Sequence, residues 1–120
     1  MATRTFDVDP IDPRDHPDFA DHLLPGERIE LGFRGERTTV LFTDRRIVTV
    51  QLQVVISERI ETTSISYRAI RLFSLNRGVA GEGRSEFKIQ LESEAHPLHL
   101  RANPGTDFTA LQGLLAGRIG

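Results

Sequence analysis

The histidines and the acidic N-terminal segment are the residues of this sequence that could ligate a metal ion. Residues 1–26 contain six aspartates against two arginines, and His16 and His22 lie in the same segment. Carboxylate oxygens and imidazole nitrogens are common metal ligands. The stretch DPIDP at 9–13 nevertheless lacks the glycine and the terminal glutamate of a calcium-binding loop. We therefore interpret residues 1–14 as an irregular, solvated acidic arm and predict no metal site.

His96 and His99 form the other candidate metal-ligating pair. They lie three residues apart on a predicted strand, where side chains alternate between the two faces, so they point in opposite directions and chelate poorly. Surface or edge positions are the better interpretation of both histidines.

No local motif of covalent or phosphate chemistry is present. The glycine-rich stretch at 78–83 follows a strand and leads into another strand, so no helix N-terminus awaits a phosphate. The sequence has no Gly-x-Ser-x-Gly elbow, no HExxH motif and no cysteine. We predict no enzymatic activity and no cofactor. The alternative, a catalytic site assembled from distant segments, would require a concave pocket with convergent polar groups.

Charge and composition exclude several further classes of protein. Residues 27–120 hold 13 basic and 11 acidic side chains with interspersed signs, which is not the strongly basic face that nucleic-acid binding requires. The 120 residues have room for one domain, and their apolar runs are too short to span a bilayer. No basic-then-apolar leader opens the chain, so we expect a cytoplasmic protein.

The elements that must position these residues begin with a short N-terminal helix. Asp15 is a candidate cap, Pro17 stands near the first helical position, and Phe19 and Leu23 would share one face. The sequence LPG at 24–26 ends this helix, for which we predict about two turns.

Period-two alternation then predicts seven strands between residues 27 and 102. They are 27–34, 38–42, 46–52, 55–62, 69–75, 87–92 and 98–101. The longest loop is 76–84. Seven short strands at even spacing predict an antiparallel barrel or sandwich.

A C-terminal helix is predicted over about 105–117. Phe108, Leu111, Leu114 and Leu115 form its apolar stripe, and Gly117 is a plausible C-cap. We expect this helix to close one open end of the barrel. The predicted domain therefore covers residues 15–120.

Four sequence segments, in their order along the chain, resemble those of a pleckstrin-homology (PH)-like domain of the bacterial type. They are LPGERI at 24–29, LFTDRRI at 41–47, SISYRAI at 64–70 and SEFKI at 85–89. Ser66 departs from the proline usual in this family, and VVIS at 54–57 replaces a glycine-containing turn. The resemblance implies a curved seven-stranded barrel capped by the helix, a tendency to form ring-shaped homo-oligomers, and no enzymatic activity.

The resemblance also suggests where an anion would bind. Eukaryotic relatives of this fold hold inositol phosphates on the loop between their first two strands, which corresponds here to the turn carrying Arg34 and Arg37. Two exposed arginines would give weak, salt-sensitive contact with anionic lipid headgroups. Arg45 is a third candidate contact, although Asp44 beside Arg45 and Arg46 favours a structural ion pair there, or hydrogen bonds from these arginines to neighbouring carbonyls. Membrane association is therefore an alternative that we do not favour.

The leading hypothesis is a non-enzymatic scaffold that forms homo-oligomers and binds a protein partner. Residues 54–60 carry few charges and are predicted to form a strand edge that pairs between subunits, with Val55 and Ile56 in the interface. Tyr67 and Arg68 are either interface anchors or, for the tyrosine, part of the core.

Overall fold

Strand pairing in the computed structural model of this chain produces two β-sheets. The structure describes residues 4–54, 56–77, 83–92, 97–103 and 106–119. Within these ranges the strands are β1 (Arg4–Asp7), β2 (Asp9–Ile11), β3 (Ile29–Arg34), β4 (Thr38–Thr43), β5 (Arg46–Val54), β6 (Glu58–Ser66), β7 (Ile70–Asn76), β8 (Ser85–Leu91) and β9 (Leu98–Ala102). The helices are the 3-10 helices Pro13–Asp15, Pro17–His22 and Tyr67–Ala69 and the α-helix α1 (Thr109–Ile119).

Five strands form the first sheet, in the order β2-β3-β4-β5-β6. The strands β3 to β6 follow each other as antiparallel hairpins. The last hairpin is the longest, since β5 and β6 pair from Arg46 opposite Ser66 to Val54 opposite Glu58. Residues 10–66, which contain most of this sheet, form one compact unit.

One core cluster of this unit lies on one face of β4 and β5, whose other face is also buried over part of its length. Leu41 and Val48, which are directly opposite each other, are fully buried and pack with Phe19 from the 3-10 helix. Ile29 and Val50 extend this cluster toward its margin. The short N-terminal helix is therefore held by its single buried aromatic ring rather than by an extended apolar stripe.

Four strands form the second sheet, in the order β1-β9-β8-β7. This sheet belongs to the second compact unit, which comprises the residues up to Asp9 and from Tyr67 onward. Strand β1 runs parallel to β9, whereas the other pairs are antiparallel. Strand β8 shows the cleanest alternation, and the centre of its Phe87 ring lies 5.6 Å from the ring centres of both Phe73 and Phe108.

The C-terminal helix is confirmed, with different ends from those predicted. It begins at Thr109, whose backbone N–H donates to the Asp107 carboxylate at 2.8 Å, and Leu111 and Leu115 are fully buried. Gly117 lies inside the helix and is not its C-cap. Within the described residues, no helix is long and apolar enough to cross a bilayer.

The mainly β fold is confirmed, but the prediction of a closed seven-stranded barrel is not. The described residues contain nine strands in two sheets, and the end strands of each sheet are not joined to each other. Each sheet therefore keeps two edges: β2 and β6 in the first, β1 and β7 in the second. Strands β1 and β2 were not predicted because segments of three or four residues are too short to show a period.

The N-terminal segment also differs from the prediction in two ways. The stretch expected to be irregular contains β1, β2 and a 3-10 turn over Pro13–Asp15. The helix expected from Asp15 onward is a 3-10 helix over Pro17–His22, with His16 at its N-cap and no side-chain cap. Runs this short favour 3-10 geometry, and Pro25 disfavours a helical conformation at the residue before it.

Candidate binding cleft

The tight turn between β3 and β4 places two arginines at one end of the first sheet. Arg34 ends β3, and Arg37 immediately precedes β4. The Gly35 N–H donates to the Thr38 carbonyl at 2.7 Å and closes the turn, while the Leu52 N–H donates to the Arg37 carbonyl at 2.9 Å. Both arginine side chains are exposed. The turn is thus hydrogen-bonded to β5, and its two cationic side chains, Arg34 and Arg37, lie three positions apart in the sequence.

A cleft of about 220 Å³ opens beside this turn, entirely within the unit of residues 10–66. Its charged lining consists of Arg34, Arg37, Asp18 and Glu36. Within the described residues, neither arginine forms an ion pair with a carboxylate. The two acids balance the two arginines formally, so the cleft offers cationic donors without a large net charge.

The remaining wall of the cleft is apolar. Phe19 lies in it with 3% of its surface exposed, and Val50, Leu52 and Ile60 continue it along the hairpin of β5 and β6. Leu52 lies directly opposite Ile60, and Val50 lies two residues before Leu52, so the three side chains share one face of the hairpin. The cleft therefore combines a cationic rim with an aliphatic wall.

Arg34 is held in place by two side chains of the N-terminal segment. Its guanidinium carbon lies 5.9 Å from the centre of the Phe19 ring, a cation–π distance. Its Nη1 lies 3.3 Å from Nδ1 of His16, and because a guanidinium only donates, the imidazole nitrogen is the acceptor. The His16 ring in turn stacks on Phe19, with ring centres 4.9 Å apart. Arg34 is therefore partly preorganised.

Arg45 does not join the other two arginines. It lies in the turn after β4, whereas Arg34 and Arg37 lie in the turn before β4, and a strand of this length separates its two ends by about 17 Å. The Arg45 guanidinium lies over Gly26, with its Nη2 3.4 Å from the place where a side-chain carbon of residue 26 would stand. Arg34, Arg37 and Arg45 were all predicted as candidate contacts for an anion, but only Arg34 and Arg37 line the cleft.

A buried ion pair between Arg46 and Glu27 lies at the other end of β4, and the sequence did not predict Glu27 as the partner of Arg46. The Glu27 side chain is 0% exposed, and Arg46 donates to both of its carboxylate oxygens at 2.9 Å. The Thr43 hydroxyl donates to Glu27 at 2.7 Å, and the Leu24 N–H donates to it at 2.9 Å. Arg46 also donates to the His22 carbonyl at 2.9 Å. The network joins the chain before β3 to the turn between β4 and β5.

The surroundings of Glu27 change its acidity. Hydrogen bonds from Arg46 lower the pKa of the Glu27 carboxyl from 4.5 to about 2, against the opposing effect of burial. The N–H of Leu24 and the hydroxyl of Thr43 act in the same direction. Glu27 is thus a permanently charged structural group at neutral pH. Asp44, the partner predicted from its position, accepts the Arg28 N–H at 2.8 Å instead.

Comparison with known proteins decides the family. A sequence model described as the bacterial PH domain matches residues 5–119. The chain belongs to the bacterial PH domain family. This PH domain is 33% identical over 75 residues to the uncharacterized protein YjqA of Bacillus subtilis (strain 168), a match covering 62% of this chain and 60% of that protein.

Solved structures show the same fold. This PH domain is similar to a DUF1696 family protein with a pleckstrin-homology domain from Shewanella loihica PV-4, with a TM-score of 0.77 and 20% identity over 95% of this chain and 98% of the other. A pleckstrin homology domain from Shewanella amazonensis SB2B gives a TM-score of 0.67 at 22% identity over 92% and 90%. A PH domain containing protein from Exiguobacterium sibiricum 255-15 gives 0.68 at 14% identity over 95% and 63%.

The family resemblance seen in the sequence has a physical basis in the buried network. The Gly-Glu pair of LPGERI and the second arginine of LFTDRRI contribute Glu27 and Arg46, which form the buried ion pair. The glycine before the glutamate, Gly26, has a φ of +78°, a left-handed conformation that favours glycine. Two of the four resembling segments of this PH domain therefore meet in one structural site.

The hairpin of β5 and β6 exposes apolar side chains. Ile56 is 99% exposed at its tip, Ile60 is 67% exposed, and Val54 and Leu52 are 47% and 37% exposed. Strand β6 is at the edge of its sheet and is exposed along most of its length. Val55, the other predicted interface residue of this hairpin, lies outside the described residues.

Tyr67 and Arg68, the other predicted interface residues, differ in exposure. They begin the 3-10 helix after β6, where Tyr67 is buried with 6% of its surface exposed and Arg68 is exposed. A tyrosine that is part of the core is expected to be buried as Tyr67 is. Arg68 remains on the surface of this PH domain.

The histidines of this PH domain have separate surroundings. His99 lies 2.7 Å from a Glu86 carboxylate oxygen through its Nε2, whereas His16 contacts Arg34. Among the described residues, no three His, Asp or Glu side chains come together as a metal site. His96 and most of the glycine-rich stretch at 78–83 lie outside the described residues.

Proposed function

We propose that this bacterial PH domain is a non-enzymatic scaffold that self-associates through strand β6 and offers a surface to a protein partner. The observation that carries the proposal is the exposed edge of the five-stranded sheet. Among the described residues, β6 pairs only with β5, and seven of its nine residues are exposed. An edge strand of this length presents a row of unpaired N–H and C=O groups to another strand.

The side chains of the hairpin support the same conclusion. Charged residues of β6 are confined to its first half, at Glu58, Arg59 and Glu61, while residues 62–66 carry no charge. Natural edge strands are usually protected by charges, prolines or bulges along their length. An edge with an uncharged half and an exposed Ile60 is instead suited to burial against a second copy, as in a ring-shaped homo-oligomer.

A single charge at the edge tests self-association. We expect the unmodified protein to exceed its monomer mass of 13.5 kDa in light scattering after size exclusion. Ile60→Lys should dissociate the assembly, because burying a lysine ammonium without a partner is costly. Leu24→Lys is the matched control: Leu24 is 50% exposed, similar to Ile60, but lies outside the strands. A mass that stays monomeric at every concentration would overturn the proposal.

Weak binding to anionic lipid headgroups is the second candidate function. It is favoured by one observation, that Arg34 and Arg37 line the same cleft without a carboxylate partner in the described residues. Each arginine near an anionic surface contributes roughly 1 kcal/mol. Asp18 and Glu36 line the same cleft and oppose this attraction.

Flotation with phosphatidylserine-containing vesicles separates the two candidates. A lipid-binding function predicts cofloating protein at low salt, less at physiological salt, and loss of binding in the Arg34→Ala/Arg37→Ala double variant. Arg45→Ala, at the other end of β4, is the control and should float like the unmodified protein. Absence of flotation at low salt would contradict lipid binding and leave the scaffold proposal standing.

A further inference from the structure

The aliphatic wall of the cleft is not explained by a headgroup alone or by strand pairing at the outer edge of β6. We propose that the cleft binds a single-chain anionic amphiphile: one small anionic head, a carboxylate or a phosphate monoester, bearing a short alkyl chain. The inference uses the same two arginines as the lipid candidate, but it needs neither a bilayer nor self-association.

The head of such a ligand matches the rim. Arg34 and Arg37 present guanidinium groups, which bind carboxylate and phosphate oxygens through paired N–H donors. Arg34 is already restrained by Phe19 and His16, so less conformational entropy is lost when an anion binds. These arginines are therefore the recognition groups of the site.

The charge of the lining limits the ligand to a small negative charge. Asp18 and Glu36 lie in the same lining as the two arginines, so their formal charges cancel. A polyanion would bring several negative charges against these two carboxylates, whereas a single head can lie against the arginines. Among anions, the cleft therefore favours a ligand with a single anionic group over an inositol polyphosphate.

The alkyl chain matches the wall. Val50 is half-buried, and Leu52 and Ile60 stand directly opposite each other beyond it, which gives a continuous aliphatic surface on one face of the hairpin. Phe19 closes the inner part of the cleft. The cleft, about 220 Å³, is smaller than the roughly 300–1,000 Å³ typical of drug-sized ligands, so a short chain fits it.

An extended peptide fits this wall less well than an alkyl chain. The wall is a face of the sheet, where Thr39 pairs with Val50 and Thr38 with Gln51. The backbone groups of these strands are directed within the ladder, so a peptide lying on the face would find few partners for its own N–H and C=O groups. An alkyl chain has no such groups to satisfy.

Titration with monomeric amphiphiles tests the proposal. Butanoate, hexanoate and octanoate are added to the isotopically labelled protein below their micelle concentrations, and amide chemical shifts report binding. We expect saturable shifts at residues 34–39 and 50–60, with affinity rising up to about fourfold per added methylene. Octyl phosphate in a parallel titration distinguishes a phosphate head from a carboxylate, and hexanol, which lacks the charge, should bind at least about tenfold more weakly than hexanoate.

Substitutions in the cationic rim and in the aliphatic wall test the contribution of each to binding. Arg34→Ala/Arg37→Ala should weaken hexanoate binding at least about tenfold, whereas Arg45→Ala should leave it unchanged. Leu52→Ser should reduce the dependence of affinity on chain length, and its control is Gln53→Ser on the opposite face of the same strand.

Several results would overturn the inference. They are absence of saturable shifts with both octanoate and octyl phosphate, undiminished affinity in the double arginine variant, or equal affinity for butanoate and octanoate. Because no vesicle is present and binding is measured on the monomeric ligand, these results are independent of vesicle flotation. A circular dichroism spectrum of each variant confirms that loss of binding is not loss of fold.

Discussion

Removing the charge of Glu27 is the most informative perturbation of this structure. The Glu27→Gln substitution keeps the size of the side chain but leaves the Arg46 guanidinium, whose side chain is 15% exposed, without its counter-charge. Breaking a buried pair by removing one partner costs about 3–5 kcal/mol. The lowering of the Glu27 pKa from 4.5 to about 2 gives a similar figure, about 3 kcal/mol at neutral pH.

The pH dependence follows from the direction of this change. Because the pKa of Glu27 is lower in the folded protein than in the unfolded chain, its stabilisation is complete above pH 4.5 and is lost as the pH falls toward 2. The glutamine of the Glu27→Gln variant does not titrate. The difference in stability between the two proteins should therefore be largest at neutral pH and less than half as large near pH ~3.

Thermal unfolding followed by circular dichroism measures this difference. For a domain of this size we expect Glu27→Gln to lower the Tm on the order of 10 °C at about pH 7. Asp12→Asn is the matched control: Arg14 also lowers the pKa of Asp12 to about 2, but Asp12 is exposed and its partner lies two residues away. We expect a small change in that variant.

Two results would refute the reasoning. One is a Tm of the Glu27→Gln variant close to that of the unmodified protein at neutral pH, and the other is a difference that stays constant down to about pH 3. Glu27→Leu combined with Arg46→Met gives a further check, since replacing both members of a buried pair by apolar residues costs less than removing one of them.

Three further changes test local features of the fold by denaturant or thermal unfolding. Gly26→Ala should destabilise the protein by about 1–2 kcal/mol because the residue has a φ of +78°. Gly113→Ala should instead stabilise it by up to about 1 kcal/mol, since the position is helical and open around its Cα. Asp107→Ala removes the carboxylate that accepts the Thr109 N–H and should lower the Tm at neutral pH. Hydrogen bonding by Thr109 lowers the pKa of Asp107, so this difference should disappear as the pH falls below 3.8.

The parts of the fold that alternate in polarity were predictable from the sequence. Strand β8 shows why: Phe87, Ile89 and Leu91 are buried, while the residues between them are half-buried or exposed, as the period of two requires. The helix after residue 108 was predictable for the same reason, from apolar residues at helical spacing. Only its ends were wrong, because caps depend on single side chains such as Asp107.

Features that depend on distant pairing were not predictable. Strand β1 has only four residues and pairs with β9, from Arg4 opposite Leu98 to Asp7 opposite Arg101. No local periodicity in residues 4–7 predicts that they pair with residues 98–101. The partner of Arg46 was missed because Glu27 lies 19 residues earlier, whereas Asp44 is close in sequence.

The cleft was predictable only in part. The turn carrying Arg34 and Arg37 was evident from its composition, and both residues line the cleft. Its aliphatic wall required the register of β5 and β6, which brings Leu52 opposite Ile60, and the position of Phe19 beside them. The separation of Arg45 from the other two arginines also follows only from the order of the strands.

The parallel pairing of β1 with β9 has a consequence for synthesis of the chain. The N-terminal strand cannot find its partner until residues 98–101 have also left the ribosome, so this ladder must close after the hairpins that precede it. Until then β1 has no strand with which to pair. A released chain that ends before residue 98 would therefore expose β1 and the β9-facing edge of β8 at the same time.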